Sequence, residues 1–210
     1  MEKPSVPEIV GKAVVAGIPY AGGSIVEVIS GIQKRREYVA EHALGAISER
    51  VGADTFMSIV ERDPEIEALL WTALQAVAAT GVESRRKLLV KVVANAMTST
   101  EPIDMEQLQT MALAELDAPH FRALARLAHA EDLDAAEGKT DKQDNNLDQA
   151  ATNEPVPVLA ALIRTGAVYP AGIVDNRDGT MRPPSLRELG VSGVTDFGRR
   201  LLVDLHSEGW

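Results

Sequence analysis

Residues 62–81 read RDPEIEALLWTALQAVAATG, and this stretch carries signals for both ends of a helix. Asp63 can accept hydrogen bonds from the free N–H groups of a first helical turn, and Pro64 fits the first helical position. Gly81 supplies a stop, because glycine readily adopts the backbone conformation that follows a helix. The stretch therefore predicts a helix with defined ends.

The same pattern continues on both sides of this helix. Apolar residues recur at intervals of three and four from about residue 34 to residue 98, with Gly52 as a stop. A further helix is expected to start with Asp104 as N-cap and Gln107 at the capping-box position. Aromatic residues are only 4% of the chain, a composition that favours packed helices over sheets. The sequence predicts a mainly α-helical protein, with a helical bundle over residues 1–105.

A glycine-rich stretch, VAGIPYAGGS at residues 15–24, lies in a run with few charges. It lacks the Lys-Ser/Thr pair of a phosphate-binding P-loop. Lys12 and Glu27 leave roughly 14 uncharged residues between them, and a membrane span needs about 20. We therefore interpret it as a Pro/Gly bend between two helices, with membrane contact as an alternative. Candidate membrane or partner contacts are Ile18, Pro19, Tyr20, Lys34, Arg35 and Arg36.

The middle of the chain is acidic and poor in large apolar residues. The chain holds 21 Lys and Arg against 31 Asp and Glu, a net charge of −10, and so has no general attraction to nucleic acid. Over residues 131–154 the only large apolar residues are Leu133 and Leu147. We interpret this stretch as a mobile loop or linker that buries too little to fix its backbone.

No motif in the chain points to catalysis. There is no cysteine and no Gly-x-Ser-x-Gly elbow, and the four histidines lack a metal-binding spacing. The segment DNRDG at residues 175–179 has Arg177 at a position where a calcium loop needs a ligand, so we interpret it as the turn of a small β-hairpin. We expect a protein that is not an enzyme, with no catalytic residue, cofactor or metal.

Three segments of the tail resemble winged-helix domains. LDAPHFRALARL (116–127) is similar to their first helix, VLAALIRTGAV (158–168) to their recognition helix, and VTDFGRRLL (194–202) to the segment after the wing. The resemblance implies a winged-helix-like α+β domain over residues 106–210, in which Thr195 caps the last helix and Gly198 allows close packing. The second helix of the pattern is missing or is replaced by the acidic stretch, and Arg164 is the only cation of the recognition helix.

The whole chain resembles a loosely defined group of bacterial and phage-associated helical proteins. The shared features are an Ile-Pro-aromatic-x-Gly-Gly element at residues 18–23, a helical middle and a winged-helix-like tail. Some proteins of this layout are associated with abortive phage infection. The resemblance implies bacterial or phage origin and transfers no catalytic residue.

These observations predict a non-enzymatic binding or regulatory protein that acts through protein contacts, with a protein partner or a second copy of the chain. A DNA-binding regulator and a membrane-associated defence effector are the alternatives. The first residues lack the basic and apolar regions of a secretory signal, so we expect a cytoplasmic protein. Candidate contacts to nucleic acid or to a partner are Arg164, Arg177, Arg182, Arg199 and Arg200.

Overall fold

A computed structural model describes residues 23–99, 102–138, 146–171, 174–175, 181–182 and 190–210. The prediction of a mainly α protein with one small β-hairpin is confirmed. The helices are α1 (Gly23–Val51), α2 (Ala53–Arg62), α3 (Pro64–Ala79), α4 (Glu83–Thr98), α5 (Asp104–Glu115), α6 (Ala118–Glu137), α7 (Asn146–Thr152), α8 (Val156–Arg164) and α9 (Asp196–Ser207). The strands are β1 (Val168–Pro170), β2 (Val174–Asp175), β3 (Met181–Arg182) and β4 (Val191–Val194).

The four strands form two nested antiparallel pairs. Strand β1 pairs with β4, with Val168 opposite Val194, and β2 pairs with β3, with Val174 opposite Arg182. Along the chain, β2 and β3 lie between β1 and β4, so the inner pair is enclosed in sequence by the outer pair. Of the turn predicted at residues 175–179, all but Asp175 lies outside the described residues.

Local sequence signals set several helix ends. The Asp63 carboxylate accepts hydrogen bonds from the backbone N–H groups of the first turn of α3, and Pro64 is the first residue of that helix, as predicted. Gly52 follows α1 with a φ of 90°. Two details differ from the prediction. Helix α3 ends at Ala79, before Gly81, and Asp104 lies inside α5 without acting as its cap.

Helices α3 and α4 pack against each other, α1 and α5 each pack against both of them, and α1 also contacts α2. Helix α1 begins before the predicted start near residue 34 and is continuous from Gly23 to Val51. The proposed bend around Pro19 lies outside the described residues, as do Ile18 and Tyr20. One connected apolar core runs from Ala43 on α1 to Leu205 on α9. The predicted boundary at residues 105–106 falls at the start of α5, which packs against α3 and α4.

A buried arginine on α4 fixes the junction between α5 and α6. The guanidinium of Arg85 donates to the carbonyl oxygens of Leu113 (2.5 Å) and Ala114 (3.1 Å) at the end of α5. It also donates to the Thr80 hydroxyl (3.2 Å) and to the Asp117 carboxylate (3.1 Å). Burial lowers the pKa of Arg85, and the nearby Asp117 charge partly offsets that effect. Three helices therefore converge on one side chain.

The acidic stretch differs from the loop predicted over residues 131–154. Residues 131–137 continue α6, and residues 146–152 form α7. The buried Asp134 carboxylate accepts hydrogen bonds from the backbone N–H groups of Asn146 (2.8 Å) and Leu147 (3.0 Å), which begin α7. The prediction of a loop is therefore wrong for these residues. A capping carboxylate and the buried Leu147 fix the backbone, although large apolar residues are few.

Candidate interaction surface

The C-terminal part of the chain consists of α6, α7, α8, the hairpin and α9. An ion pair joins the connection between α7 and α8 to α6. Arg126 on α6 donates from Nε and Nη2 to the two carboxylate oxygens of Glu154, at 2.6 and 2.9 Å. Glu154 lies in the short connection between α7 and α8, and its side chain is buried. The hydrogen bond with Glu154 raises the pKa of Arg126. This two-point contact holds α7 and α8 in a fixed relation to α6.

The junction of the hairpin and α9 matches the sequence prediction. The Thr195 hydroxyl accepts a hydrogen bond from the Gly198 N–H at 2.9 Å and so caps α9. It also donates to the carbonyl oxygen of Gly166 at 2.7 Å. A Cβ atom on Gly198 would lie 2.1 Å from the carbonyl oxygen of Ala167, so only glycine allows this approach. Both predicted roles, the cap and the close packing, are confirmed.

Two of the arginines predicted to contact nucleic acid or a partner are bound to carboxylates of this chain. Arg164, at the end of α8, donates to Glu115 at the end of α5. Arg199, on α9, donates to Glu131 (2.6 Å) and forms an ion pair with Asp132 (2.9 Å). Hydrogen bonds to these partners raise the pKa of both arginines, with Glu115 the main partner of Arg164 and Asp132 that of Arg199. Their charges are therefore compensated locally.

The structure describes the side chain of one of the other three candidate arginines. Arg200 is exposed on α9 and makes no ion pair with a described residue. Arg182 lies in β3, and Arg177 lies outside the described residues. Among the three candidate arginines whose side chains are described, Arg200 alone is exposed without an ion pair to another described residue.

The exposed side of α8 is largely apolar. Val156 and Pro157 are exposed, Ala160 and Ile163 are partly buried, and Arg164 is the only charged residue of the helix. A helix that reads DNA presents polar or cationic side chains to base edges and phosphates. The surface of α8 is better suited to apolar contact than to base recognition.

Helix α5 carries an exposed apolar row that the sequence analysis missed. Met105, Leu108 and Met111 are 42%, 54% and 63% exposed, and their spacing of three residues places them along one side of the helix. Ala112 and Leu113 face the core instead. We call Met105, Leu108 and Met111 the α5 stripe. The only sequence signal for this stripe was the recurrence of apolar residues at positions 105, 108 and 111.

Helix α1 carries an exposed segment with cations near its beginning. Lys34, Arg35 and Arg36 are all exposed, and none forms an ion pair within the described part of the chain. Ile32 and Tyr38, on either side of them, are 49% and 65% exposed. We call residues 32–38 the α1 basic segment. The predicted candidate contacts at 34–36 are therefore accessible to a partner.

Neither a metal centre nor a membrane-crossing helix is found where the chain is described. Across these ranges, no three His, Asp or Glu side chains lie close enough together to hold a metal ion. None of the described helices combines the length and the apolar character that a membrane crossing requires.

Comparison with known proteins gives no relative from which a role could be carried over. No protein-family model matches the chain, and no curated protein or solved structure is significantly similar to it. Any function therefore has to be inferred from the chain's own residues.

Proposed function

We propose that this chain is a non-enzymatic binding protein that acts through protein–protein contacts, with the α5 stripe as its contact surface. The observation that carries the proposal is the exposure of Met105, Leu108 and Met111 on one side of one helix. Contiguous apolar surface of this kind is typical of interaction sites, because contact removes it from water at a gain of about 25 cal/mol per Å². Methionine is well suited to the role, since its flexible side chain adapts to a partner.

The charges of the tail favour a protein partner over DNA. Binding to DNA draws most of its affinity from several cations that contact phosphates. Arg164 and Arg199 already bind carboxylates of this chain, and a phosphate would have to compete with those partners. We therefore propose that the winged-helix-like tail contributes to protein contact and regulation. A bacterial or phage origin and a role in phage defence belong to the same proposal and rest on the sequence resemblance.

A DNA titration separates the proposal from its main alternative. We expect no nanomolar, sequence-dependent complex between the full chain and labelled genomic fragments at about 0.15 M salt. Fluorescence anisotropy provides the measurement. A nanomolar complex that weakens when Arg164 and Arg200 are replaced by alanine would establish a DNA-binding regulator instead.

Site-specific photocrosslinking tests the contact surface itself. A benzophenone amino acid at position 108 should form covalent adducts with protein in cells that express the chain, because this position lies in the α5 stripe. Position 57 is the matched control, since Met57 on α2 is 55% exposed and lies outside the stripe. Equal adduct yields from the two positions, or no adduct from position 108, would refute the proposed surface.

A further inference from the structure

We propose that the α5 stripe binds the α1 basic segment of a second copy of this chain. This inference rests on the proposed function, in which the α5 stripe is a contact surface, and it names the partner. The α5 stripe and the α1 basic segment are chemically complementary.

The α5 stripe lies on an acidic helix. Residues 104–115 read DMEQLQTMALAE and contain no lysine or arginine. Asp104 and Glu106 stand at the beginning of the helix and form no ion pair with another described residue. Glu115, at the other end, is already bound to Arg164. The surface is therefore apolar with uncompensated carboxylates at one end, and it suits a helix that combines apolar side chains with cations.

The α1 basic segment has this combination. Lys34, Arg35 and Tyr38 project within about 100° of one another around the helix axis. One side of the segment therefore combines an exposed aromatic ring with two cations that form no ion pair in the described structure. The chain has another run of three cations, at residues 85–87, but two of these side chains already make contacts within the fold. Arg85 is buried, and Arg86 donates to the carbonyl oxygen of Thr80. The segment on α1 is the run that remains available to a partner.

The bundle allows both surfaces to be used at once. Helices α1 and α5 each pack against α3 and α4, so both surfaces belong to the same packed unit. In a two-fold dimer, each α1 basic segment would meet the α5 stripe of the other copy, which gives two equivalent contacts. Direct pairing of two α5 helices is disfavoured, because it would bring Asp104 and Glu106 close to carboxylates of the other copy without any cation from that helix.

Analytical ultracentrifugation of the full chain tests the proposal. Between about 5 and 200 µM we expect a reversible dimer whose dissociation constant rises at least about tenfold when salt increases from about 0.05 to 0.5 M. The double variant Lys34→Glu/Arg35→Glu should raise the dissociation constant at least about tenfold at low salt, where screening is weakest. The control Arg62→Glu/Lys87→Glu changes the net charge equally at exposed positions and should leave the constant within about threefold of that of the wild type.

A charge exchange keeps the test independent of folding. Asp104→Lys/Glu106→Lys alone should also weaken the dimer, and all four substitutions together should restore it to within about threefold, because the ion pairs re-form with reversed sign. The proposal would be overturned if the chain stayed monomeric at all concentrations. It would also be overturned if the control variant weakened the dimer equally, or if the four substitutions together failed to restore association. A monomeric chain that still crosslinks to another protein from position 108 overturns only the identity of the partner. Absence of those adducts overturns the proposed function.

Discussion

Replacing Arg85 by methionine should destabilise the fold by about 3 kcal/mol, because each of its two hydrogen bonds to carbonyl oxygens at the end of α5 contributes about 1.5 kcal/mol. Methionine matches the length of the aliphatic stem but leaves those carbonyls without their donor, whereas the Thr80 hydroxyl keeps the hydrogen bond from the Val82 N–H. The ion pair with Asp117 adds little, since that carboxylate is 57% exposed and can be hydrated again. Lysine at position 85 should recover only part of the loss, because an ammonium group cannot reproduce the planar fork of donors.

Urea unfolding followed by circular dichroism measures the change in the free energy of unfolding. Lys87→Met, on the same helix at an exposed position, is the control and should change stability by less than about 0.5 kcal/mol. If Arg85→Met were no less stable than this control, the reasoning that Arg85 holds the α4–α5–α6 junction would be refuted.

Four further predictions concern the packing, the tail and the N-terminal run. Gly198→Ala should lower the free energy of unfolding by more than about 2 kcal/mol, because its Cβ would lie 2.1 Å from a carbonyl oxygen. Gly45→Ala, in open space on α1, should raise the free energy of unfolding by up to about 1 kcal/mol. Thr110→Val should stabilise the fold by about 1 kcal/mol in urea unfolding, since the buried Thr110 hydroxyl has no hydrogen-bond partner among the described residues. Arg126→Met should lower the free energy of unfolding by about 2 kcal/mol, because it leaves the buried Glu154 carboxylate unpaired. Adding Glu154→Gln should recover part of that loss of stability. In cell fractionation, the chain should stay in the supernatant, and pelleting with membranes that resists high salt would favour the membrane-associated alternative.

The features predicted correctly from the sequence are local ones. Asp63 and Thr195 cap helices that begin within a few residues of them, and the close packing of Gly198 follows from the residue type in a recognisable segment. A cap depends on side chains and N–H groups within one turn, so its signal is contained in adjacent residues. The mainly α fold was predictable for the same reason, because helical periodicity is a short-range pattern.

The features that the sequence analysis missed depend on contacts between distant residues. Asp134 caps a helix that begins twelve residues later, and Arg164 pairs with a glutamate 49 residues away. Counting charges does not show that Arg164 forms an ion pair. Counting large apolar residues does not show that residues 131–137 and 146–152 form helices. The α5 stripe was missed because a helix pattern alone does not show which side of α5 faces α3 and α4.

Methyl NMR of methionine-labelled protein tests the role of the α5 stripe most directly. Between about 5 and 500 µM, we expect the methyl signals of Met105 and Met111 to shift or broaden as the stripe becomes covered. The signal of the similarly exposed Met57 and that of the buried Met97 should stay unchanged. Equal changes at Met57, or unchanged signals from Met105 and Met111 over the whole range, would contradict the claim that the α5 stripe is the surface through which this chain associates.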